Sequence, residues 1–534
     1  MIAAILAKKN LNVLIIDPEP HPKFSVGEAT TPDTGCKFKI IGEKYGIPEI
    51  SYLSNFNDLK TKVSRNCGIK KSFSFLYHEE HKWHIPENSH QFPGPDNGVL
   101  GPDCHLFRQD TDGYMFHAAL KKGAKSILDS ALDIEFEEER VTVVCKSGKR
   151  IECRYIVDAA GHNSVISRKL GLRRTDRLKT NSRTIFSHMV NVGRLDEINS
   201  QARHPLHEST LHHVFNGGWF WVIPFDNHKE SGNPICSVGL LLNRNVYPKA
   251  RGTPEEEFYH FVNQFPSVKK QLRLATPVRE WVRSERLQYS SESITGHRFC
   301  LSANSAGFVD PLFSSGLGLT ISMTDLIADK ILTAFRSNDF DITNFKSIEN
   351  FFNQSLRHYD EVISRAYESF SDYNLWDSWF RVWVTGNFLG TVSNIDLYFN
   401  YLSGRKNLSE TQSFRYNNVL GMQTKEQRDF FLNASRAMEE LGAGKLTSRG
   451  VSRLILDDIK EHELLPKYFR WSDSSVKSTP DFGTYGFAKL YGWAWLGNHS
   501  GASKKFFTYN PWTSFVKEYI KKKCNFFPTG IFAP

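Results

Sequence analysis

Residues 1–18 read M-I-A-A-I-L-A-K-K-N-L-N-V-L-I-I-D-P. The first ten look like the end of an Ala-rich helix. Leu11 to Ile16 reads as a buried strand, finished by Asp17 with Pro18 as a stop, because a short apolar run closed by a turn residue is a strand signal. A helix entering a strand that ends in an acid is the second half of a βαβ dinucleotide unit, where the acid accepts a hydrogen bond from the adenosine ribose. Asp17 is therefore a candidate cofactor ligand. Such a unit opens with a strand and G-x-G-x-x-G, whose glycines let backbone amides approach the pyrophosphate at a helix start. The usual fingerprint-to-acid spacing places that opening about 20 residues upstream. The expectation is an N-terminally truncated unit, with dinucleotide binding badly weakened if the chain is natively this short.

The remaining pattern fits an α/β (α+β) fold. Arg140–Cys145 and Arg150–Val157, split by Ser147-Gly148, read as a hairpin whose second strand runs into Asp158-Ala159-Ala160-Gly161. Residues 180–300 carry strand-like alternation, notably Thr184–Val192 and Cys236–Leu242. Leu317–Phe335 is a long apolar-periodic helix, and helix signals dominate from about 345. We expect a core over 1–345, with a mixed or antiparallel sheet at 180–300, and a helical region over 346–534.

Bulk properties exclude several classes. With 534 residues, 40% hydrophobic and 13% aromatic, the chain can fill a large core. Net charge is +9 from 67 basic and 58 acidic residues, without a long basic block, so nucleic-acid binding is not expected. The densest run, Lys521-Lys522-Lys523, reads as a solvated helix end. Eight cysteines without C-x-x-C read as reduced thiols in a cytoplasmic protein. No signal peptide is expected from the opening residues, and without an apolar run of about 18 residues no membrane span is expected. His78-Glu79-Glu80-His81 with His84 is not H-E-x-x-H, and no metal site is expected there.

Two strings carry the most chemistry. Phe308 to Gly318 read F-V-D-P-L-F-S-S-G-L-G, and Trp219 to Pro224 read W-F-W-V-I-P. In the first, Ser314, Ser315 and Gly316 follow Pro311 just before a helix, where backbone amides can hold an anion. A plain helix cap at Ser314 or Ser315 is the simpler reading and is compatible with it. In the second, Trp219 and Trp221 share one face of a strand; core packing is the bland alternative. Gly27-Glu28-Ala29-Thr30-Thr31-Pro32 is a polar loop at the right distance from the first strand, or an ordinary turn. Trp376, Trp379 and Trp383 recur at helical spacing and could line an aromatic pocket or simply pack the core. A second W-x-W, Trp493-Ala494-Trp495, is followed by Leu496-Gly497 and does not fit the motif.

The first string fits F-x-x-P-x-x-S-x-G and the second W-x-W-x-I-P, both signatures of the flavin-dependent halogenases, which the chain resembles over about residues 1–335. The Gly27–Pro32 loop resembles that family's G-E-[AS]-T-x-P. The resemblance implies a flavin monooxygenase-type FAD-binding fold. It also implies reduced FAD from a separate flavin reductase, chloride or bromide, and hypohalous acid delivered through a tunnel to a Lys. It places FAD near Asp17, Gly27, Glu28, Ala29, Thr30, Arg108, Asp158, Gly161, Asn304, Pro311, Gly316 and Leu317. Asn304 and Ala303 stand where the wider superfamily has Asp and Gly. Halide would sit at Ser315 and Gly316, and Trp219, Trp221, Phe313 and Ser314 would line the substrate side. The stretch Gly68–Phe75 resembles the segment that bears the family's Lys, with Lys70 the best match and Lys71 the fallback; a surface lysine pair is the plain alternative. Such a Lys would hold hypohalous acid as an ammonium or react with it as an amine, which burial makes available.

Tryptophan-type members carry Glu where this chain has Phe313. The string resembles phenol- and pyrrole-type members instead, with free or carrier-tethered aromatic substrates. Two other readings are a monooxygenase or isoprenoid reductase of the same fold, and a truncated non-catalytic relative.

Overall fold

Helix Ile2–Lys8 leads into strand Leu14–Asp17, which pairs in parallel with Lys125–Leu128. The strand is shorter than the apolar run Leu11–Ile16 predicts, since its partner offers four residues, and Leu14 is left 38% exposed rather than buried. The computed structural model describes residues 1–94, 101–198, 202–403, 419–478 and 484–496; Lys521–Lys523 and Cys524 lie outside them.

The expected second strand of the hairpin divides. Arg150–Cys153 pairs antiparallel with Val141–Cys145 across the Ser147-Gly148 turn. Ile156–Asp158 leaves that sheet and pairs in parallel with Phe299–Leu301. The break falls at Arg154 and Tyr155, where the guanidinium of Arg298 takes the Arg154 carbonyl and Ile156 donates to the Arg298 carbonyl. One apolar run therefore serves two sheets, which periodicity alone does not reveal.

The sheet-rich segment forms an eight-stranded sheet. Its order is Thr276–Pro277, Ser182–Val190, Cys236–Asn243, Gly218–Pro224, Ser209–Phe215, Ser72–His78 and Ser89–Pro93, with Val282–Ser284 also on the second strand. Ser209–Phe215 pairs in parallel with Ser72–His78, and the other neighbours along this path are antiparallel. Because side chains alternate along a strand, the sheet separates two cores. Phe73, Phe75, Trp219, Trp221 and Leu241 face one; Leu76, Phe220, Val222, Leu240 and Leu242 face the other. In the register Trp221 lies opposite Gly239. A Cβ at 239 would stand 2.1 Å from the Trp221 ring, so the bare glycine makes room for the indole. Gly239→Ala is expected to displace Trp221 and cost about 1–3 kcal/mol through overpacking. Urea unfolding with near-UV circular dichroism checks this, and an unchanged aromatic signal would contradict it.

After residue 345 the described chain is helical, with Lys346–Ser369, Tyr373–Leu402, Lys425–Gly442, Ser448–Glu461 and Thr484–Leu496. Asp372, Thr424 and Thr447 cap three of them by accepting from a first-turn N–H. Tyr373–Leu402 is buried on nearly every side, and its Trp376, Trp379 and Trp383 pack into the same core as Phe73 and Trp219. Trp493 falls on the last described helix, so its W-x-W is helical. Among the described residues no helix is long and apolar enough to cross a membrane, and seven cysteines are unbridged.

Candidate active site

Strand Gly68–Lys70 carries one lysine inward, and the next residue turns out. Lys70 is 1% exposed, and its Nζ donates to the Thr30 carbonyl at 2.6 Å and lies 3.3 Å from the centroid of the Phe73 ring. Lys71 is half-buried and paired with Glu208 at 2.7 Å. Neighbouring residues of an extended chain point to opposite sides, so only one of the two lysines can enter the interior. Burial lowers Lys70 to about 7, against the pull of Asp103, its cross-strand partner. Burial likewise raises Asp103 to about 7, opposed by Lys70. Gly68 lies against the Pro224 carbonyl, where a Cβ would stand 2.4 Å away, so the lysine strand is pinned to the end of the tryptophan strand.

The lysine thus meets the Gly27–Pro32 loop directly. That loop is held by Thr30 N donating to the Cys104 carbonyl (3.0 Å) and Leu106 N to the Glu28 carbonyl (2.6 Å). Gly27 sits at φ +91, a conformation side chains rarely adopt. Arg108, opening helix Arg108–Lys121, donates to the carbonyls of Val26 (2.7 Å) and Gly27 (3.1 Å) and pairs with Asp112. The Glu28 carboxylate turns into the protein and meets His188 at 2.8 Å. Ala29 bridges to His105.

From Lys70 a run of aromatic rings leads to the signature turn. Phe73 meets Trp383 edge-on at 5.3 Å, and Trp383 stacks on Phe313 at 4.6 Å. Phe75 stacks on His212 at 4.2 Å, and His212 lies 5.4 Å from Trp219, which lies 6.0 Å from Trp221. Trp376 and Trp383 are seven residues apart and share one helix face toward Phe313. Trp379 faces elsewhere and donates to the Val362 carbonyl, so only two of the three tryptophans reach the site. Thr31, Asp33, Thr34, Phe313, Ser315 and Trp383 are among the residues around a small, partly open cavity of about 20 Å³, enough for about one water.

Ser314 takes the N-cap position of helix Ser315–Ser337, but at φ +52 its side chain makes no cap hydrogen bond, which corrects the simple capping reading. Gly316 is exposed, and a Cβ there would meet nothing within 4 Å; Leu317 follows in the first turn, half-buried. Pro311 is also half-buried.

A second cluster lies around Asp158. Its carboxylate accepts from Ala160 N (2.9 Å), Ser164 Oγ (2.7 Å) and Ile166 N (3.1 Å). Gly161 N donates to Ser305 Oγ at 2.9 Å, beside the exposed Asn304. Asp17 sits apart at its strand end, paired with Lys23 and close to His21. There is room for an elongated phosphate-bearing ligand: a Cβ at Gly161 or Gly316 would meet nothing within 4 Å, Gly27 sits at positive φ, and the helix start at Ser315 has no side-chain cap.

His78 closes the strand Ser72–His78 and is buried against His213 at 2.8 Å, not in a polar loop. No group of His, Cys, Asp or Glu among the described residues has the geometry to hold a metal. Sequence reasoning missed Asp103, His188, His212 and Tyr367. Their roles depend on strand register and helix packing, and only Asp310, inside the quoted signature, was in plain view.

Residues 80–381 match the tryptophan halogenase family. The chain is 40% identical over 398 residues to tetracycline 7-halogenase of Kitasatospora aureofaciens, covering 73% of this chain and 71% of that protein. It is 34% identical over 530 residues to the monodechloroaminopyrrolnitrin halogenase PrnC of Pseudomonas fluorescens, covering 97% and 93%. The crystal structure of halogenase PltM in complex with phloroglucinol and FAD superposes with a TM-score of 0.85 at 33% identity, over 90% of this chain and 96% of that one. These likenesses favour neither the monooxygenase nor the reductase reading. The chain belongs to the flavin-dependent halogenases, enzymes that use FAD and a halide.

Proposed function

We propose that this chain halogenates a free or carrier-tethered electron-rich aromatic substrate, phenolic or pyrrolic, through the amine of Lys70. The observation that carries the reading is Lys70 itself: a buried nitrogen bonded to the Gly27–Pro32 loop and joined by Phe73 and Trp383 to the ring of Phe313. Reduced FAD, delivered by a separate flavin reductase, would supply two electrons to dioxygen; halide would supply the other two, giving hypohalous acid and water.

Backbone amides of Ser315 and Gly316 hold the halide at the helix start. Asp17, Arg108, the Gly27–Thr30 loop, the Asp158–Gly161 turn, Asn304, Pro311 and Leu317 hold the dinucleotide. Trp219, Trp221, Phe313 and Ser314 exclude water and keep the substrate away from the ring where oxidant forms. The neutral Lys70 amine attacks the halogen of hypohalous acid: an N–halogen bond forms, the O–halogen bond breaks, and the released hydroxide takes an amine proton and leaves as water. The aromatic carbon then takes the halogen, the N–halogen bond breaks, and the ring proton restores the amine. Phe313 leaves an apolar surface that suits a phenol or pyrrole and offers no carboxylate to an indole. The names of the relatives, and phloroglucinol bound to PltM, support aromatic substrates of this kind. Unbridged cysteines fit a reducing, cytoplasmic setting.

The test is incubation of the protein with reduced FAD, air, chloride or bromide, and a panel of phloroglucinol, pyrrole carriers and free tryptophan. Mass spectrometry is expected to find halogenated phenol or pyrrole and little halotryptophan. Preferential halogenation of tryptophan would overturn the substrate assignment.

A further inference from the structure

The Trp219–Pro224 and Phe308–Gly318 motifs are joined by a residue that belongs to neither. Trp219 Nε1 donates to the Tyr367 hydroxyl at 3.0 Å, and that hydroxyl donates to Asp310 Oδ2 at 3.0 Å. The same carboxylate accepts from Ser182 Oγ (2.7 Å) and from Leu312 N (3.1 Å). Gln288 closes the set: its Nε2 donates to Ser182 Oγ (2.7 Å) and the Val309 carbonyl (2.9 Å), and its Oε1 accepts from Ser182 N (2.9 Å). Trp219, Tyr367, Asp310, Ser182 and Gln288 are all buried.

Among the described residues no Lys or Arg pairs with Asp310, so its charge rests on three hydrogen-bond donors alone. Burial pushes its carboxyl up to about 7. A buried network of this kind holds only while every member is satisfied, and removing one member leaves its neighbours unpaired. Tyr367 stands on helix Lys346–Ser369 and packs its ring on Phe370. Among the described residues it links the indole of Trp219 by hydrogen bonds to the carboxylate of the signature turn.

We propose that Tyr367 is a positioning residue, whose hydroxyl, held by Asp310, fixes the plane of the Trp219 indole and so holds in place the aromatic wall beside the route from the Ser315–Gly316 turn to Lys70. The functional half of this rests on the reading of Lys70 given above; the geometric half does not.

Tyr367→Phe keeps the ring and removes the oxygen that accepts the Trp219 proton. In protein labelled with ¹⁵N at tryptophan, the Trp219 Nε1–H signal is assigned by its loss in Trp219→Phe. Without FAD, that signal in Tyr367→Phe is expected to exchange with solvent at least ten-fold faster than in the native protein. With reduced FAD, air, chloride and phloroglucinol, the share of oxidised flavin recovered as halogenated product is expected to fall at least three-fold, the remainder appearing as hydrogen peroxide or free hypohalous acid. Trp219→Phe removes the other end of the same bond and is expected to show the same fall, with no further fall in the double variant. Unchanged exchange in Tyr367→Phe would overturn the proposal, as would additive losses in the double variant. Should Tyr367→Phe fail to fold, undiminished coupling in Trp219→Phe would overturn it. If Lys70→Ala halogenates normally, the delivery reading fails, while indole exchange still decides whether Tyr367 fixes the wall.

Discussion

Lys70→Ala is expected to lower halogenated product by about 10³-fold, within the range that a positioned proton-transfer or nucleophilic group contributes, while reduced FAD is still consumed by dioxygen. Product by mass spectrometry and flavin reoxidation by absorbance measure the two halves separately. Lys71→Ala serves as the control, because Lys71 turns away from Thr30 to the half-buried Glu208, and its product yield is expected to stay within about two-fold, as for an ion pair near the surface. Equal losses in the two variants would sink the assignment. The pH dependence carries a second check. Burial sets Lys70 near 7, so the neutral amine is scarce below that pH and abundant above it. Product yield is expected to rise as pH climbs through about 7. Asp103 favours the ammonium, so Asp103→Asn lowers the lysine further and moves the rise to lower pH. A yield that falls through the same window would assign the ammonium, holding hypohalous acid by hydrogen bonds, in place of the amine.

Glu257→Ala is expected to destabilise the fold by about 3–5 kcal/mol, the usual result of breaking a buried ion pair. Arg183 and Glu257 are 1% and 0% exposed. The guanidinium donates to both carboxylate oxygens, at 2.9 and 2.6 Å, and Arg283 stands 3.6 Å from the same group. Removing the acid leaves Arg183 buried with only the carbonyls of Tyr247 and Lys249 as acceptors. Arg183 neighbours Ser182 and shares its strand with His188, so the loss loosens the sheet behind the site. The shift in the urea midpoint at constant slope measures the effect. A cost under about 1 kcal/mol would mean that the two carbonyls compensate the charge, against the penalty expected for an unpaired buried ion.

The motifs were legible because they are local. W-F-W-V-I-P became a strand with both tryptophans on one face, and S-S-G a turn opening a long helix. Lys70 could be ranked above Lys71 by resemblance, but what separates them is a register with Asp103 and a contact with Thr30, which no spacing encodes. Glu28 was readable as part of its loop, yet its carboxylate leaves for His188 on a distant strand. The run Arg150–Val157 looked like one strand because alternation is blind to which sheet a residue joins. Trp376, Trp379 and Trp383 were indistinguishable by spacing, and only the neighbours of their helix decide which two reach Phe313.

The strand after Lys70 takes its parallel neighbour from Ser209–Phe215. During synthesis its near side can zip early with Ser89–Pro93, but the far side waits until residue 215 has emerged. At ribosomal speeds of about 5–20 residues per second, that wait is on the order of ten seconds. Throughout it, a hairpin bearing Phe73, Phe75 and Tyr77 presents an open edge to the surrounding solvent. Recombinant yield of this enzyme is therefore expected to depend on chaperone supply and growth temperature more than on the stability of the finished molecule.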